Sequence, residues 1–216
     1  QVPGERASSY EKATLYYMDS EGFGVNTATP AGAGMSGESV STTETDQFGN
    51  ITRELTPQNR LRALAEPKGK TVERSHLFET RSVFSSEGTE LLEELGPLHR
   101  VKLQESGEVV EARLQRTIAY ENPENLNPAP LLPTREITEA MIPGKGTEID
   151  QRIAETKYNW TLRQPIETIV DAGVGHLNIK RKTSYNETTG LPTEVRQPKA
   201  SEEGGNVPGA TKTYYY

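Results

Sequence analysis

The residues best suited to chemistry in this 216-residue chain are its three histidines. Imidazole groups bind metals and transfer protons, but a metal site needs them at short, defined spacings or beside carboxylates. His76, His99 and His176 are far apart along the chain and match no such spacing. The sequence therefore predicts ordinary sheet or turn positions for the histidines, and no metal site.

Two pairs of adjacent acids could in principle perform acid–base catalysis. They are Glu93-Glu94 and Glu202-Glu203. A glycosidase needs two carboxylates facing one substrate, whereas neighbours on a strand point to opposite faces of the sheet. Either pair could still meet an acid from another strand, but the sequence offers no candidate. We therefore expect no catalytic residues.

The run 144–147, Gly-Lys-Gly-Thr, only superficially resembles a phosphate-binding loop. Glu139 occupies the position of the first glycine in that motif, and no Lys-Ser or Lys-Thr pair follows. The chain also lacks a Gly-x-Ser-x-Gly nucleophile turn. These patterns predict a simple turn at 144–147, no cofactor and no enzyme.

Aromatic residues allow two interpretations. Trp160 and the nine tyrosines could stack on sugar rings, which makes Trp160 a candidate for sugar stacking. Alternatively, the tyrosines pack against neighbouring strands and their hydroxyls bond to backbone groups. The packing interpretation is favoured, and a carbohydrate- or adhesion-type binding module is kept as the alternative function.

The elements that would position these groups are glycine turns between extended runs. Gly22, Gly49, Gly88 and Gly190 each follow a strand-like run that ends in an aromatic residue or threonine. Glycine is favoured in such turns because it adopts positive φ without steric cost. The residues predicted to define the turns are Tyr17, Asp19, Gly22, Asp46, Gly49, Phe84, Gly88, Tyr158, Tyr185, Asn186 and Gly190.

The turns recur at a regular spacing. Gly22 and Gly49 are 27 residues apart, as are Tyr158 and Tyr185. A fifth unit begins at Tyr158, but Leu162 stands about where its glycine should be, so we expect it to turn differently. A period between 20 and 50 residues is typical of repeat architectures.

The turn motif resembles the YD repeat, Tyr-Asp-x-x-Gly, of the RHS family. The runs 45–49, Thr-Asp-Gln-Phe-Gly, and 185–190, Tyr-Asn-Glu-Thr-Thr-Gly, carry this resemblance in relaxed form. Runs 87–99 and 157–162 are similar to runs in RHS-repeat proteins of actinobacteria and their neighbours. No unit has the full Tyr-Asp pair, and nothing resembles the family's self-cleavage region or a toxin domain.

The RHS resemblance implies a structural role. Members of this family are bacterial secreted or cell-surface proteins, often polymorphic toxins, and are related to the YD shell of teneurins. It implies a β-shell segment that encloses or presents a C-terminal toxin domain or stands at the cell surface. The implied partners are neighbouring repeats of the parent chain, an enclosed toxin domain or carbohydrate, and other copies through sheet edges.

Composition limits the alternatives. Hydrophobic residues make up 32% of the chain, which is low for a compact globule. The net charge is -7, and because phosphate binding needs a basic surface, a nucleic-acid partner is not expected. Cysteine is absent, which excludes disulfides and thiolate metal sites. No apolar run approaches membrane-spanning length. The chain starts at Gln1 and stops at Tyr216 inside a strand-like run, so we expect a fragment of a longer protein.

The predicted fold is all-β, with successive antiparallel hairpins in a curved sheet and one short helix near 57–65. Residues 1–216 form one repeat segment, with turns near 16–27, 45–52, 84–91, 158–165 and 185–195 and loops at 29–38, 122–130 and 198–209. Residues 71–84 alternate and predict a strand, and a strand is favoured over a helix at 89–95.

The strongest strand signal lies at 101–120. The apolar positions expected to face inward are Val101, Leu103, Val110, Ala112, Leu114, Ile118 and Tyr120. Arg116 interrupts this stripe. We expect it at an edge with its charge in solvent, and an inward arginine paired with a carboxylate is the alternative.

Overall fold

The computed structural model describes residues 13–30, 38–65, 69–122, 124–127, 129, 131–145, 149–198 and 211–215. The chain is all-β with two short helices, which confirms the predicted fold class. The strands are β1 (Leu15–Met18), β2 (Gly24–Pro30), β3 (Glu38–Thr45), β4 (Ile51–Leu55), β5 (Thr80–Phe84), β6 (Leu91–Leu95), β7 (His99–Lys102), β8 (Val109–Ala119), β9 (Arg135–Met141), β10 (Arg152–Asn159), β11 (Gln164–Val170), β12 (Ile179–Tyr185), β13 (Pro192–Arg196) and β14 (Thr211–Thr213). The helices are α1 (Pro57–Leu64) and α2 (Thr71–Phe78).

Strand order follows chain order. From β1 to β6 and from β8 to β14, each strand is hydrogen-bonded to the next, β6 neighbours β8, and β7 pairs with β8 off this path. Successive strands pair antiparallel, as in β1–β2, β5–β6 and β12–β13. Antiparallel neighbours need only short connections, which is why turns dominate the rest of the chain.

The first of two compact units comprises Gln1–Val101 and Val110–Leu114. Both helices belong to it. Its core is formed by Leu55, Ala63, Phe78 and Leu98, with Leu77 packed against them. The Phe78 ring, 2% exposed, lies beneath the guanidinium groups of Arg62 and Arg74, whose carbons are 4.1 Å and 4.9 Å from its centroid.

Helix α1 follows the sequence prediction. Thr56 caps it, and its hydroxyl accepts a hydrogen bond of 3.4 Å from the Asn59 amide. Pro57 occupies the first turn, where no backbone donor is needed. Ala63 is the buried residue of the helix, whereas Leu61 and Leu64 are exposed.

The predicted strand at 71–84 is wrong in its first half. Thr71–Phe78 forms α2, and only Thr80–Phe84 is a strand. Over one or two turns, a few apolar residues fit a period of 2 and a period of 3.6 about equally well. Tertiary packing decides the outcome, because the helix lets Phe78 enter the core beside Leu55 and Ala63.

The second compact unit comprises Lys102–Val109 and Gln115–Tyr216. Ile153, Ile169 and Ala172 form its core, with Ile137 packed against them. Ile153 lies opposite Ile137 in the β9–β10 register, so one face of this sheet is apolar at its centre. Small cores of this kind agree with the low hydrophobic content of the chain.

A line of alternating charges crosses the second unit. Lys157, Glu167 and Lys182 stand opposite one another on β10, β11 and β12. The Glu167 carboxylate is 2.8 Å from Lys157 Nζ and 3.5 Å from Lys182 Nζ. Opposite charges at directly facing positions stabilise neighbouring strands.

The predicted inward stripe of β8 is correct only in part. Ala112 and Ile118 are buried, but Leu114 is 53% exposed and Arg113 is 6% exposed. The exposed leucine results from the burial of its neighbour, because successive side chains point to opposite faces. Arg116 is paired with a carboxylate, as in the alternative prediction, with Nη2 2.7 Å from Glu136, but its side chain is 36% exposed and does not point fully inward.

Other predictions fall partly or wholly outside the described residues. Most of the loops at 29–38 and 198–209, together with Glu202-Glu203, lie there. The strand predicted at 89–95 is confirmed as β6. In the described part of the chain, neither helix is long or apolar enough to cross a membrane.

Candidate functional site

A short polar side chain organises each glycine turn from its first position. The carboxylate of Asp19 accepts hydrogen bonds of 2.9 Å from the Glu21 and Phe23 amides. Ser85 Oγ accepts from the Thr89 and Glu90 amides at 3.3 and 3.2 Å. Such side chains substitute for backbone partners in tight turns.

Asp46 and Asn186 hold the equivalent position in two further turns. The Asp46 carboxylate accepts hydrogen bonds from the Phe48 amide, the Asn50 amide and Asn50 Nδ2. Desolvation acts to raise the pKa of Asp46, but these hydrogen bonds lower it overall. Asn186 Oδ1 accepts from the Thr188 and Thr189 amides at 2.9 Å.

The predicted glycines lie where the turns require positive φ. The φ angles are 90° at Gly22, 84° at Gly49, 70° at Gly88 and 70° at Gly190. The amide of each donates to the carbonyl of its turn's first polar residue, at distances between 2.8 and 3.2 Å. A residue with a Cβ would be strained in this conformation.

The fifth turn keeps the design of the other four, although the sequence predicts that it turns differently. Arg163, not Leu162, occupies the left-handed position, with φ 54°. Asn159 begins the turn and its Oδ1 accepts a hydrogen bond of 3.0 Å from the Leu162 amide. Arg163 follows Asn159 by four residues, as Gly190 follows Asn186, and the two positions are 27 residues apart.

A β-bulge follows each of the five turns. The register shifts between Tyr17 and Met18 and at four equivalent places: Glu44/Thr45, Val83/Phe84, Lys157/Tyr158 and Ser184/Tyr185. One residue of the returning strand is skipped each time, namely Val25, Thr52, Leu92, Ile166 or Thr193. At the first of the five turns, the residue directly before the turn is Met18 and not the predicted Tyr17. Bulges add local twist to a hairpin.

Neighbouring turns contact each other in the first unit. Phe23 Cε1 lies 3.4 Å from where a Cβ on Gly49 would stand. The Phe48 ring covers Gly88 so closely that a Cβ there would be 2.3 Å from Cδ2. Asn50 Nδ2 also donates a hydrogen bond of 2.8 Å to the Gly88 carbonyl. These glycines therefore provide room for an aromatic ring of the preceding turn as well as positive φ.

Tyrosine hydroxyls join neighbouring hairpins in the second unit. Tyr158 donates a hydrogen bond of 2.9 Å to the Pro133 carbonyl, and Tyr185 donates one of 3.1 Å to the Pro165 carbonyl. A proline carbonyl thus receives the repeat tyrosine both times. Burial raises the pKa of Tyr158, and a hydrogen bond with Thr156 opposes this only in part.

Trp160 lies beside Tyr158 in the second unit. Their ring centroids are 5.3 Å apart and the rings are tilted by 43°. Both rings line a cleft of about 430 Å³, together with Arg135, Glu155 and Lys157. Trp160 is half-buried. The arrangement offers one partly covered aromatic edge flanked by polar groups.

A larger cleft of about 820 Å³ lies in the first unit. Glu79, 4% exposed, forms an ion pair with Arg53 Nε and lies 3.1 Å from His76 Nδ1. Arg53 also contacts Glu44 through Nη1 at 2.5 Å. Burial acts to lower the pKa of Arg53, but its bonds to Glu79 and Glu44 raise it overall.

Arg113 lies in the interior of the same unit. Its guanidinium donates to the carbonyls of Gly96, His76, Glu79 and Leu95 at 2.6, 2.8, 2.8 and 3.3 Å. Burial lowers the pKa of Arg113, and repulsion from Arg81 adds to this while Glu79 opposes it. Arg113 thus satisfies carbonyls that would otherwise be buried without donors.

The remaining candidates form no metal site in the described part of the chain. His76 and His99 lie in the first unit and His176 in the second, where its Nδ1 is 2.7 Å from Asp171. Glu93 and Glu94 lie on β6, opposite Val83 and Ser82. No group of three metal-binding side chains occurs among the described residues. Gly144 has φ 80° in the turn predicted there.

No protein-family model matches the chain, and the curated proteins contain no sequence match. The sequence pattern identified the turn residues because glycine and small polar residues mark turns locally. It missed Arg53, Arg81 and Arg113, which lie on three different strands, and Glu79, which follows the last residue of α2. The signal that the sequence gives for these arginines is a charged residue within an otherwise alternating strand, and Arg116 gives the same signal.

Proposed function

We propose that this chain is a structural β-shell segment of a secreted or cell-surface RHS-repeat protein, which encloses or presents a C-terminal domain such as a toxin. The observation that supports this proposal best is the repeated hairpin. Five turns share a polar first residue, a left-handed residue and a following bulge. One local design used five times suits a wall built from copies of one unit.

Contacts between successive hairpins also support a wall. Glycines 49 and 88 receive phenylalanine rings of the preceding turn, and the carbonyls of prolines 133 and 165 accept hydrogen bonds from tyrosines of later hairpins. Because strand order follows chain order, every added hairpin pairs with the one before it. A sheet of this kind extends without requiring distant segments to meet.

The experiment is to determine the complete open reading frame and the structure of its full-length product by electron cryomicroscopy. The proposal predicts further hairpins with the same polar-residue, glycine and bulge pattern, arranged as the wall of a closed chamber. A full-length product without further repeats, or with repeats that enclose nothing, would contradict it.

A carbohydrate-binding or adhesion module is the second candidate, favoured by the Tyr158–Trp160 pair in its cleft. Aromatic rings beside charged groups can stack on a sugar and bond its hydroxyls. Glycan-array binding that disappears in Trp160→Ala and persists in Tyr215→Ala, a change at an exposed tyrosine, would favour this candidate. Absence of glycan binding would contradict this second candidate and leave the shell segment as the proposed function.

A further inference from the structure

Two arginines face each other across neighbouring strands of the first unit. Arg53 on β4 lies directly opposite Arg81 on β5, and Glu44 on β3 lies opposite Arg53 on its other side. Like charges at directly opposed positions destabilise a sheet. The row Glu44–Arg53–Arg81 is therefore unfavourable unless both guanidinium groups have anionic partners.

Among the described residues, carboxylate partners are found for Arg53 and not for Arg81. Arg53 contacts both Glu44 and Glu79, and its Nη2 donates a hydrogen bond of 3.1 Å to Ser75 Oγ. For Arg81, no carboxylate of the described residues lies within ion-pair distance. Its exposed side chain lines the cleft of about 820 Å³. The free guanidinium thus faces an open space.

The other charged groups around the cleft already have partners. Buried Arg113 bonds only to carbonyls, and the charge of Arg81 acts on it unfavourably. Three acids, Glu44, Asp46 and Glu79, also line the cleft, but each is already engaged, Glu79 by its ion pair with Arg53. Glu44 binds Arg53, and the Asp46 oxygens accept three hydrogen bonds from Phe48 and Asn50.

Other groups on the cleft wall suit an anion with an attached apolar part. Ser82 and Thr52 also line the cleft, with the Thr52 hydroxyl donating to the Glu44 carbonyl, and His76 has a side chain that is 57% exposed. Phe48 and Phe84 supply apolar surface on the same wall. Hydroxyls and a guanidinium fork are the donors that oxyanions require.

We propose that this cleft binds a ligand through an oxyanion group, a carboxylate or a phosphate, with the Arg81 guanidinium as its main contact. A planar guanidinium binds either group through two parallel hydrogen bonds. The bound anion would pair with Arg81, the arginine of the two that has no carboxylate within ion-pair distance among the described residues. This site is independent of the proposed shell function, because it depends on the first unit alone.

The test compares wild type with Arg81→Gln by titration with sodium phosphate and, separately, sodium succinate at constant ionic strength. Arg100→Gln is the matched control, because Arg100 is an exposed arginine on β7 outside the cleft. The readouts are the Nε–H resonance of Arg81 in the wild type, the backbone amide shifts of 79–86 in all proteins, and the Tm.

We expect saturable shifts of these amides with at least one of the two anions, and binding weakened about tenfold or more in Arg81→Gln. If phosphate binds more tightly than succinate, the oxyanion of the ligand is a phosphate. If succinate binds more tightly, the oxyanion is a carboxylate. Without anion, Arg81→Gln should raise the Tm by up to about 4 °C, because a like-charge contact is removed. Arg100→Gln should match the wild type in binding.

Three results would overturn the proposal: no saturable shift with either anion, equal binding by Arg81→Gln, or a lower Tm of Arg81→Gln without anion. The last result would mean that Arg81 stabilises the unliganded fold through a protein contact. General salt effects on stability appear equally in all three proteins, so they do not imitate site binding.

Discussion

The Phe48 ring lies directly on Gly88, and a Cβ added to Gly88 would stand 2.3 Å from its Cδ2 atom. The contact joins two successive repeat turns. Gly190 makes a useful comparison, since its φ is also 70° but nothing lies within 4 Å of its added Cβ. The two glycines therefore differ in surroundings and not in backbone conformation.

We predict that Gly88→Ala destabilises the protein more than Gly190→Ala. Both changes introduce strain of about 1–2 kcal/mol at positive φ. Gly88→Ala should cost about 1–3 kcal/mol more, because the Phe48 ring must move. Urea denaturation, monitored by amide hydrogen exchange, measures the change in the free energy of unfolding separately for the compact unit that contains each glycine. Equal costs would show that the ring contact adds nothing, and Phe48→Ala should recover the excess in the double variant.

Arg163 is expected to be a strained residue whose replacement by glycine stabilises the fifth turn. Its φ of 54° is the conformation that the other four turns give to glycine. Relief of about 1–2 kcal/mol of strain, offset by about 0.5–1 kcal/mol of glycine entropy, leaves a small net gain in Arg163→Gly.

Arg163→Ala is the control for this prediction, because it removes the side chain and keeps the strain. It should not raise the free energy of unfolding. A gain of equal size in both variants would assign the effect to the arginine side chain and contradict the backbone explanation.

The tyrosine–proline hydrogen bonds predict a second pair of variants. Tyr158→Phe and Tyr185→Phe each leave a proline carbonyl without its donor, at a cost of about 1 kcal/mol. Tyr215, which is 91% exposed, provides the control, and Tyr215→Phe should be neutral. Thermal denaturation measures all three. Neutral results for both repeat tyrosines would show that their hydroxyls do not hold the hairpins together.

Tyr158 also predicts a pH effect. Burial raises its pKa above the ordinary value of 10.0, so the folded protein keeps this proton at pH values where the unfolded chain loses it. Stability should therefore fall as the pH rises above about 10 and level off above the folded pKa. Tyr158→Phe should remove this component of the alkaline loss, and Tyr215→Phe should leave it unchanged.

The ion pair of Glu167 predicts a loss of stability at the acid end of the pH range. Its hydrogen bond with Lys157 lowers the pKa of Glu167 below 4.5, although burial acts against this, and Lys182 and Lys180 lower it further. The stabilisation is present above the unfolded pKa and is lost as the pH falls through the folded pKa. Glu167→Gln should flatten this acid-side loss. Glu187→Gln, at an exposed turn position, should not change it.

The turns illustrate how far local sequence information reaches. Glycine spacing predicted the turns at Gly22, Gly49, Gly88 and Gly190, because positive φ is a local steric demand that few other residues meet. The same rule failed at Arg163, where the rest of the hairpin imposes the conformation on a residue that does not favour it. Strand pairing on both sides supplies the energy for that exception.

Helix α2 and the cleft were beyond local information. Residues 71–78 alternate like a strand, but they form a helix that ends with Phe78 in the core beside Leu55. The facing of Arg53 and Arg81 depends on the register between β4 and β5, with α1 and α2 inserted between those strands. No spacing rule specifies a register across such an insertion.

The sequence alone determined the all-β character, the hairpin design and the turn positions, because these follow from preferences of neighbouring residues. Tertiary structure decided which charges meet. Arg81 has a repulsive neighbour and no carboxylate of the described residues within reach, while Arg53 has two, and only the pairing of distant strands makes that distinction. Side-chain chemistry is local, but the electrostatic environment of a side chain is a property of the folded chain.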